Sequence, residues 1–408
     1  MYCSSVLVKR MLLSCKFRAW VSTEWKDKFI MKLFDRKHRS FSTVFGVGLL
    51  MLLLVACGNS GTTSTTTTSA PTNGKGCTKV GILLPETASS ARWDSKDKPL
   101  LTQKIKAVLP SGATVDYNNA GGDSNVQQSQ AQADLTKGDC ILVIAAHDGA
   151  AAATIVASAN AKSVPVIAYD RLIQSKDLAY YVSFDNVKVG QLQGQYIVDH
   201  YKNFVSPGKN HLVMIDGAQT DNNALLFSQG AHSALDPLIS SGALKKVYEQ
   251  FTPDWNNDTA RTEMDGALTA NQNNVQIAYV ANDGMANSVI ASLKAKKLNG
   301  KVLVTGQDAT VAGIQNILTG DQAMTVYKAI DKEAQATADL VKAIYNGSGA
   351  SSLTNGTVKT ADGTSIKSVL ETPVAVDKTN IQSTVIADGF VTKADICQGL
   401  PAGTGGIC

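Results

Sequence analysis

The sequence predicts an α/β protein with two Rossmann-like lobes, whose parallel-type sheets are joined by a hinge of several chain crossovers. Short β-branched runs alternate with helical segments along most of the chain, as expected for βαβ units. This alternation occurs as two successive series. In addition, the 352 residues from Cys57 to Cys408 exceed what a single hydrophobic core usually accommodates, which favours two lobes.

The first 56 residues have the pattern of a signal peptide. Four basic residues between positions 32 and 39 precede the uncharged apolar stretch Phe41 to Val55, which is short for a transmembrane helix. The stretch leads into Leu54-Val55-Ala56-Cys57, which resembles the lipobox of bacterial lipoproteins. The resemblance implies cleavage before Cys57 and its lipidation. A plain membrane anchor with an incidental cysteine is the alternative.

The residues on either side of this signal are also informative. Met31 is the better start, because thirty residues before the basic region are unusual in a signal peptide, so residues 1–30 are interpreted as a mis-called start. Residues 57–76 are rich in Ser and Thr and are predicted to form a flexible tether.

The formal net charge of +4 comes from the predicted signal region. Residues 1–56 carry ten Lys or Arg and three Asp or Glu, so residues 57–408 retain 28 basic and 31 acidic side chains. The net charge of that part is therefore near −3. With neither a basic stripe nor a zinc-finger spacing, a nucleic-acid partner is not expected.

The first series of strands and helices predicts lobe 1, over residues 77–185 with about 329–365. Each of its first four strands is expected to precede a helical segment, such as Ser124 to Thr136 or Ala150 to Ala161. The predicted strands are Lys79 to Leu84, Ala113 to Asn118, Ile141 to Ala145, Pro165 to Tyr169 and Tyr181 to Phe184.

The second series predicts lobe 2, over residues 186–328 with about 366–396, and begins with a helix from Val187 to Tyr201. The strand-like segment Ser368 to Val376 is expected to return across the boundary near Asp185, and several such crossovers suit a hinge. Residues 397–408 form a C-terminal tail. The predicted strands are His211 to Ile215, Lys246 to Gln250, Gln276 to Val280, Lys301 to Thr305 and Met324 to Val326.

Four cysteines remain in the folded region, which suits an oxidising compartment. Cys77 and Cys140 each precede a predicted strand, and the first and third strands are often neighbours in a doubly wound sheet. Cys77 with Cys140 and Cys397 with Cys408 is therefore the favoured pairing among three, and free buried thiols are the alternative. No cysteine spacing resembles a metal site.

Polar side chains recur directly after the predicted strands, where ligands of open parallel sheets bind. Carboxylates and amides pair with hydroxyl groups, and the sequence has neither a P-loop nor a well-placed glycine fingerprint for a phosphate. Singly, Asp283 or Asp308 would be explained as a helix N-cap. Together the side chains predict a site for a neutral polyol: Arg92, Asp170, Arg171, Asp221, Asn222, Asn223, Asn282, Asp283, Gln307, Asp308, Tyr327 and Lys328.

Two tryptophans, Trp93 and Trp255, are the only ones after Cys57, and both lie in predicted loops beside polar residues. A pyranose presents apolar C–H faces to aromatic rings, so these side chains are predicted to stack on a sugar. Packing between the lobes is the alternative for each of them.

Seven stretches together resemble the bacterial D-xylose-binding proteins of the type I periplasmic sugar-binding family, from about Lys79 to Gly389. The loop Pro85 to Ala91 and the segment Ala145 to Asp148 depart from the family pattern, and His147 is expected to be a solvated loop residue. The matching stretches are Ala91-Arg92-Trp93, Ala168-Tyr169-Asp170-Arg171, Ser183-Phe184-Asp185-Asn186 with Lys188-Val189-Gly190, Asp221-Asn222-Asn223-Ala224, Ala267-Leu268-Thr269-Ala270-Asn271, Gly306-Gln307-Asp308 and Met324-Thr325-Val326-Tyr327-Lys328.

The resemblance implies the type I periplasmic binding protein fold, with a monosaccharide held between the lobes. Trp93 and Trp255 would stack on the sugar. The implied hydrogen-bonding residues come from both lobes and are Arg92, Asp170, Arg171, Asp221, Asn223, Asn282, Asp308 and Lys328.

The resemblance also implies a mechanism and partners. The lobes close over a pentose, with D-xylose expected, and the closed form is recognised by an ABC permease with its ATPase. No enzyme activity, cofactor or metal is expected. The protein would act as a monomer, lipid-anchored to the outer face of the cytoplasmic membrane.

Other functions use the same residues differently. A sugar sensor would present its closed form to a chemoreceptor or sensor kinase. A sugar hydrolase or isomerase would use a carboxylate pair such as Asp221 and Asp308 as acid and base. A sugar-responsive transcription factor would need an N-terminal helix-turn-helix where this chain has its predicted signal peptide.

Overall fold

The structure is a computed structural model that describes residues 74–408. Expectations for the signal peptide, the start at Met31, the lipidated Cys57 and most of the tether lie outside these residues. Among residues 74–408, no helix has the length and apolar character needed to cross a membrane.

The strands and helices alternate along the described chain. The strands are β1 (Lys79–Leu84), β2 (Thr114–Asn119), β3 (Ile141–Ile144), β4 (Val166–Tyr169), β5 (Tyr180–Phe184), β6 (His211–Asp216), β7 (Lys245–Phe251), β8 (Ile277–Val280), β9 (Leu303–Val304), β10 (Met324–Tyr327), β11 (Gly356–Lys359), β12 (Ser365–Glu371) and β13 (Val374–Asp377). The α-helices are α1 (Lys98–Val108), α2 (Ser124–Lys137), α3 (Ala153–Asn160), α4 (Asn186–His200), α5 (Asn222–Ser240), α6 (Asn257–Ala270), α7 (Asp283–Ala295), α8 (Val311–Thr319), α9 (Ile330–Asn346) and α10 (Lys393–Cys397).

Lobe 1 is built on a seven-stranded sheet in the order β11-β12-β5-β4-β3-β1-β2. All its neighbours are parallel except β11 and β12. Successive side chains of a strand face opposite sides of the sheet. Accordingly, Ile82 packs in the cluster that contains residues of α1 and α9, whereas Leu83 packs in the cluster that contains residues of α2 and α3.

Lobe 2 is built on a parallel four-stranded sheet in the order β7-β6-β8-β9. A separate antiparallel pair, β10 with β13, continues the lobe towards the C-terminal segment. There, Ile317 and Leu318 of α8 share a cluster with Val391 and Ile396. The predicted class of two α/β lobes with parallel sheets is therefore confirmed.

The chain passes between the lobes three times. It leaves lobe 1 after Phe184, where α4 begins and packs on α5. It returns after Tyr327, where α9 packs on α1, and it leaves again after Glu371 to form β13 beside β10. Three closely spaced connections of this kind are the geometry of a hinge.

One predicted boundary is wrong. Lobe 2 was expected to resume at about residue 366, but residues 365–371 form β12, which pairs in parallel with β5 of lobe 1. The predicted single strand Ser368 to Val376 is two strands in different lobes. Pro373 lies between them, and a proline has no N–H to donate to a continuing strand ladder.

A second correction concerns the segment after β4. A helix was expected there, but residues 170–179 form a helix-free loop that leads directly into the parallel neighbour β5. Leu172 and Ile173 of this loop are fully buried in the cluster that contains residues of α2 and α3. The loop therefore covers the sheet in the place that a helix would take.

Two disulfides have the pairing that the sequence favours. Cys77 is bonded to Cys140, which joins the residues that precede β1 and β3. Cys397 is bonded to Cys408, which closes the C-terminal tail onto the end of α10.

Two glycines allow α4 and α5 to approach closely. A Cβ atom on Gly190 would lie 1.8 Å from the carbonyl oxygen of Phe227, and one on Gly230 would lie 2.0 Å from that of Val187. Neither position therefore accommodates a side chain. Helix α4 follows the first crossover directly, so this packing also positions the start of α5 beside lobe 1.

Candidate functional site

All ten residues predicted to bind sugar line one cavity of about 310 Å³ between the lobes. They are Arg92, Trp93, Asp170, Arg171, Asp221, Asn223, Trp255, Asn282, Asp308 and Lys328. Its other lining residues are Ser89, Ser90, Phe227 and Gln307. Three side chains of the lining are cationic and three are anionic, which suits a neutral ligand.

Most of these residues are placed by the ends of parallel strands. Asp170 and Arg171 directly follow the parallel strand β4, whereas Lys328 follows β10, which pairs antiparallel with β13. Two others cap helices: Asp221 accepts a hydrogen bond from the backbone N–H of Asn223, and Asn282 accepts one from that of Met285. The capping side chains are thereby held at the cavity while the helices run away from it.

Asp170 lies at the centre of the charged network. Its carboxylate accepts hydrogen bonds from Arg92 and from Lys328, both at 3.0 Å, and from the Asn223 amide at 3.1 Å. Burial raises the pKa of Asp170, but Arg92, Lys328 and Arg171 together hold that pKa below the usual range. Asp170 is thus a fixed anion, and its backbone φ of 56° lies in the left-handed region that Asp tolerates.

Two carboxylates that do not line the cavity hold the side chain of Arg92 in place. Asp97 accepts two of its N–H groups, at 2.9 and 2.6 Å, and Glu333 of α9 accepts another at 3.2 Å. Burial works against the charged guanidinium, but these neighbours and Asp170 raise the pKa of Arg92 well above its ordinary value. Arg92 therefore presents a permanent, oriented donor to the cavity.

Contacts of Arg171 and of Asn223 join the lobes across the cavity. Arg171 of lobe 1 forms an ion pair with Asp221 of lobe 2, with Nε and Oδ2 3.0 Å apart. Burial raises the pKa of Asp221, and Arg171 opposes that shift. Asn223 donates to the Asp170 backbone oxygen at 3.0 Å and accepts from Asn186 at 2.8 Å. The described conformation therefore has the lobes in contact around the cavity.

Both tryptophans are almost fully buried, with exposed fractions of 2% for Trp93 and 5% for Trp255. Trp93 donates to Glu86 at 3.0 Å, and the guanidinium carbons of Arg92 and Arg171 lie 4.6 and 5.2 Å from its ring centroid. The indole N–H of Trp255 has no hydrogen-bond partner among residues 74–408. Buried donors usually have a hydrogen-bond partner. Because Trp255 lines the cavity, a bound ligand could supply the partner for this N–H.

Neither Asp283 nor Asp308 is a helix N-cap. The nearby helices α7 and α8 are capped by Asn282 and Thr310. Asp308 lines the cavity, 3.9 Å from Arg92 and 4.0 Å from Lys328. Asp283 is instead a buried support for Thr310, Gln322 and Thr325, and burial raises its pKa to about 7.

Gln307, which was predicted among the polar residues that follow strands, lines the cavity, and its side-chain oxygen is buried without a partner in the described part of the chain. The sequence interpretation missed other residues of the site and of its support. Phe227 lies one turn after Asn223 on α5. Glu333 had no local signal, because 241 residues separate it from Arg92.

His147 is not the solvated residue that was expected. Only 13% of its side chain is exposed, and its Nε2 lies 3.9 Å from Asp254 of lobe 2. It does not line the cavity. The physical reason is the closeness of the lobes, which covers this loop on the lobe 1 side.

Two α/β lobes that are joined by three crossovers and enclose a polar cavity define a two-lobed solute-binding protein. The family model described as "periplasmic binding protein domain" matches residues 82–349. The chain belongs to the periplasmic binding protein family, and its fold is the type I fold of that family. Members of this family are extracytoplasmic solute-binding proteins and not enzymes.

Two relatives and one solved structure are similar to most of this chain. The chain is 39% identical to the D-xylose-binding periplasmic protein of Haemophilus influenzae, over 78% of this chain and 92% of that protein. It is 36% identical to the protein of the same name from Escherichia coli, with the same coverage. A solute-binding protein structure from Clostridium phytofermentans with bound β-D-glucose is 31% identical, with a TM-score of 0.71 over 78% of this chain and 99% of that one.

Proposed function

We propose that the chain is a sugar-binding lipoprotein that captures a monosaccharide, D-xylose, between its lobes and delivers it to an ABC permease. The observation that carries the proposal is the cavity itself. It combines two tryptophans with balanced charges and unpaired polar atoms, a composition suited to the hydroxyl groups and C–H faces of a neutral sugar.

D-Xylose is preferred over a hexose on the ground of the named relatives. Two relatives, at 39% and 36% identity, are named as D-xylose-binding proteins, whereas the similar structure with bound glucose is 31% identical.

Binding couples to closure through the contacts between the lobes. A ligand shifts an open-to-closed equilibrium only by what it gains in the closed form. Asp221, Asn223 and Trp255 belong to lobe 2, and Arg92 and Asp170 to lobe 1, so a sugar in the cavity contacts both lobes only when they close. The closed surface is what the permease would recognise, with the chain acting as a monomer.

Titration with a panel of pentoses and hexoses tests this function. We expect D-xylose to produce the largest change in tryptophan fluorescence and a saturable heat of binding in calorimetry. The change should shrink in Trp255→Phe, because Trp93 is then the only tryptophan that remains after Cys57. If no pentose or hexose binds, the proposed function is wrong.

Lipid anchoring at Cys57 is the second part of the proposal. We expect the wild-type protein to partition with the membrane fraction, and Cys57→Ser to appear in the soluble extracytoplasmic fraction with unchanged affinity for D-xylose. Ser60→Ala, which changes the same segment but keeps Cys57, is the matched control and should stay with the membrane. Equal membrane retention of both variants would contradict the anchor.

Gly217 provides a test of the position of Trp255. A Cβ atom at residue 217 would lie 2.1 Å from the indole ring, so Gly217→Ala must displace that ring. Such overpacking costs about 1–3 kcal/mol, and we expect the affinity for D-xylose in calorimetry to fall about tenfold.

Gly266→Ala is the matched control for this change. Position 266 is exposed within α6, with no neighbouring atom within 4 Å of an added Cβ. This variant should gain about 0.5–1 kcal/mol in free energy of unfolding from helix propensity, with unchanged affinity. Wild-type affinity in Gly217→Ala would show that Trp255 does not stack on the ligand.

A further inference from the structure

A second cavity lies against the proposed sugar cavity. It has a volume of about 940 Å³, roughly three times that of the first. Ser89, Ser90, Arg92 and Asp308 line both cavities. We refer to the larger cavity as the outer chamber. Because the two cavities share these four residues, a ligand in the first lies directly beside the outer chamber.

The outer chamber draws its walls from both lobes. Ala88 and Lys96 belong to the lobe 1 side, and Asn257, Gly284 and Ala312 belong to lobe 2. The amide of Asn257 donates to the backbone oxygen of Ala88 at 3.2 Å. The chamber is therefore formed in the same closed arrangement of the lobes as the sugar cavity.

The chamber combines unpaired polar atoms with apolar surface. The hydroxyl of Ser90 and the side-chain oxygen of Asn257 are buried and have no hydrogen-bond partner within residues 74–408. A buried polar atom without a partner costs about 1–3 kcal/mol, so both favour a ligand that supplies hydroxyl groups. Phe390 and Val391 add apolar surface, and the Phe390 ring packs at 4.9 Å from that of Tyr327.

We propose that the outer chamber is a second subsite, which takes a sugar ring linked to the one in the first cavity. The ligand class then extends from the monosaccharide to short neutral glycosides such as a disaccharide of two D-xylose units. Ser89 and Ser90 have the smallest side chains shared by the two cavities, so the linkage passes beside them. This inference rests on the proposed function, because the first ring occupies the proposed sugar site.

Calorimetry with three probes tests the subsite: D-xylose, methyl β-D-xylopyranoside and the β-linked disaccharide of D-xylose. We expect wild-type protein to bind the disaccharide at least as tightly as D-xylose. Ala312→Trp fills the chamber from an exposed position that does not line the first cavity. It should weaken disaccharide binding about tenfold or more and change D-xylose affinity less than about twofold.

Ala157→Trp is the matched control, because residue 157 is an exposed helical position on α3 that lines neither cavity. It should change neither affinity. If wild-type protein binds D-xylose but binds the glycosides more than about 100-fold more weakly, the subsite is rejected and the proposed function stands. Equal weakening of all three probes by Ala312→Trp also rejects it. Failure of every probe to bind rejects the proposed function itself.

Discussion

Replacing Asp170 by Ala is expected to lower the free energy of unfolding by about 3–5 kcal/mol, because it removes the anion shared by two buried cations. Arg92 and Lys328 both contact its carboxylate at 3.0 Å, and all three side chains are nearly inaccessible. Ala also tolerates the left-handed φ of residue 170 less well than Asp does. Denaturant unfolding measures this loss.

Asp170→Asn separates the effect on binding from the effect on folding. Asn tolerates the same backbone conformation and keeps the side-chain volume, but it removes the negative charge. We expect it to fold and to bind D-xylose at least about 100-fold more weakly, because Arg92 and Lys328 lose the partner that orients them. Calorimetry measures the affinity.

A surface carboxylate gives the comparison for Asp170. Asp177 also contacts a lysine, Lys176, at 3.0 Å, but both side chains are substantially exposed. Asp177→Ala should change the free energy of unfolding by no more than about 0.5 kcal/mol and leave binding unchanged. Equal losses in Asp170→Ala and Asp177→Ala would refute the central role of Asp170.

Replacing Asn223 by Ala is expected to weaken D-xylose binding about 100-fold by opening the protein as well as by removing a ligand contact. Its side chain donates to the backbone and carboxylate oxygens of Asp170, and accepts from Tyr181 at 3.2 Å and from Asn186 at 2.8 Å. The bonds with Asp170 and Tyr181 join the two lobes and so stabilise the closed form, whereas the bond from Asn186 lies within lobe 2. Small-angle scattering at saturating D-xylose should therefore give a larger radius of gyration than for wild type.

Asn210→Ala is the matched control for the closure effect. The Asn210 amide donates to the backbone oxygens of Gly242 and Ala243, so its hydrogen bonds stay within lobe 2. This variant is expected to lose some stability without a change in affinity or radius of gyration. A normal radius in Asn223→Ala at saturating sugar would mean that Asn223 contacts ligand without holding the lobes together.

Most strands and helices could be predicted from the sequence because each depends on a local pattern of residues. Strand β1 spans Lys79 to Leu84 as predicted, and other predicted strands such as Tyr181 to Phe184 differ from the structure by a residue or two. The periodicity of apolar residues over a short window of sequence distinguishes a strand from a helix. The split between β12 and β13 was missed because the residue pattern of a strand does not indicate which sheet the strand joins. Pro373 is the one local signal of the change of lobe.

The site residues were predictable for a similar reason. Polar residues that directly follow a parallel strand must lie at the same edge of its sheet. Asp97 and Glu333 are different, because they act through Arg92 and do not line the cavity. Neither follows a strand, so the rule that found the cavity could not find its support.

From the sequence alone, the α/β class, the strand ends, the favoured disulfide pairing and the ten cavity residues follow, because each depends on local pattern or on a family resemblance. Only the tertiary structure decided where the chain changes lobes and which carboxylates neutralise which cations. It also revealed that His147 is covered and that an outer chamber adjoins the sugar cavity. These features arise from contacts between distant segments, whose geometry depends on how the lobes pack and close.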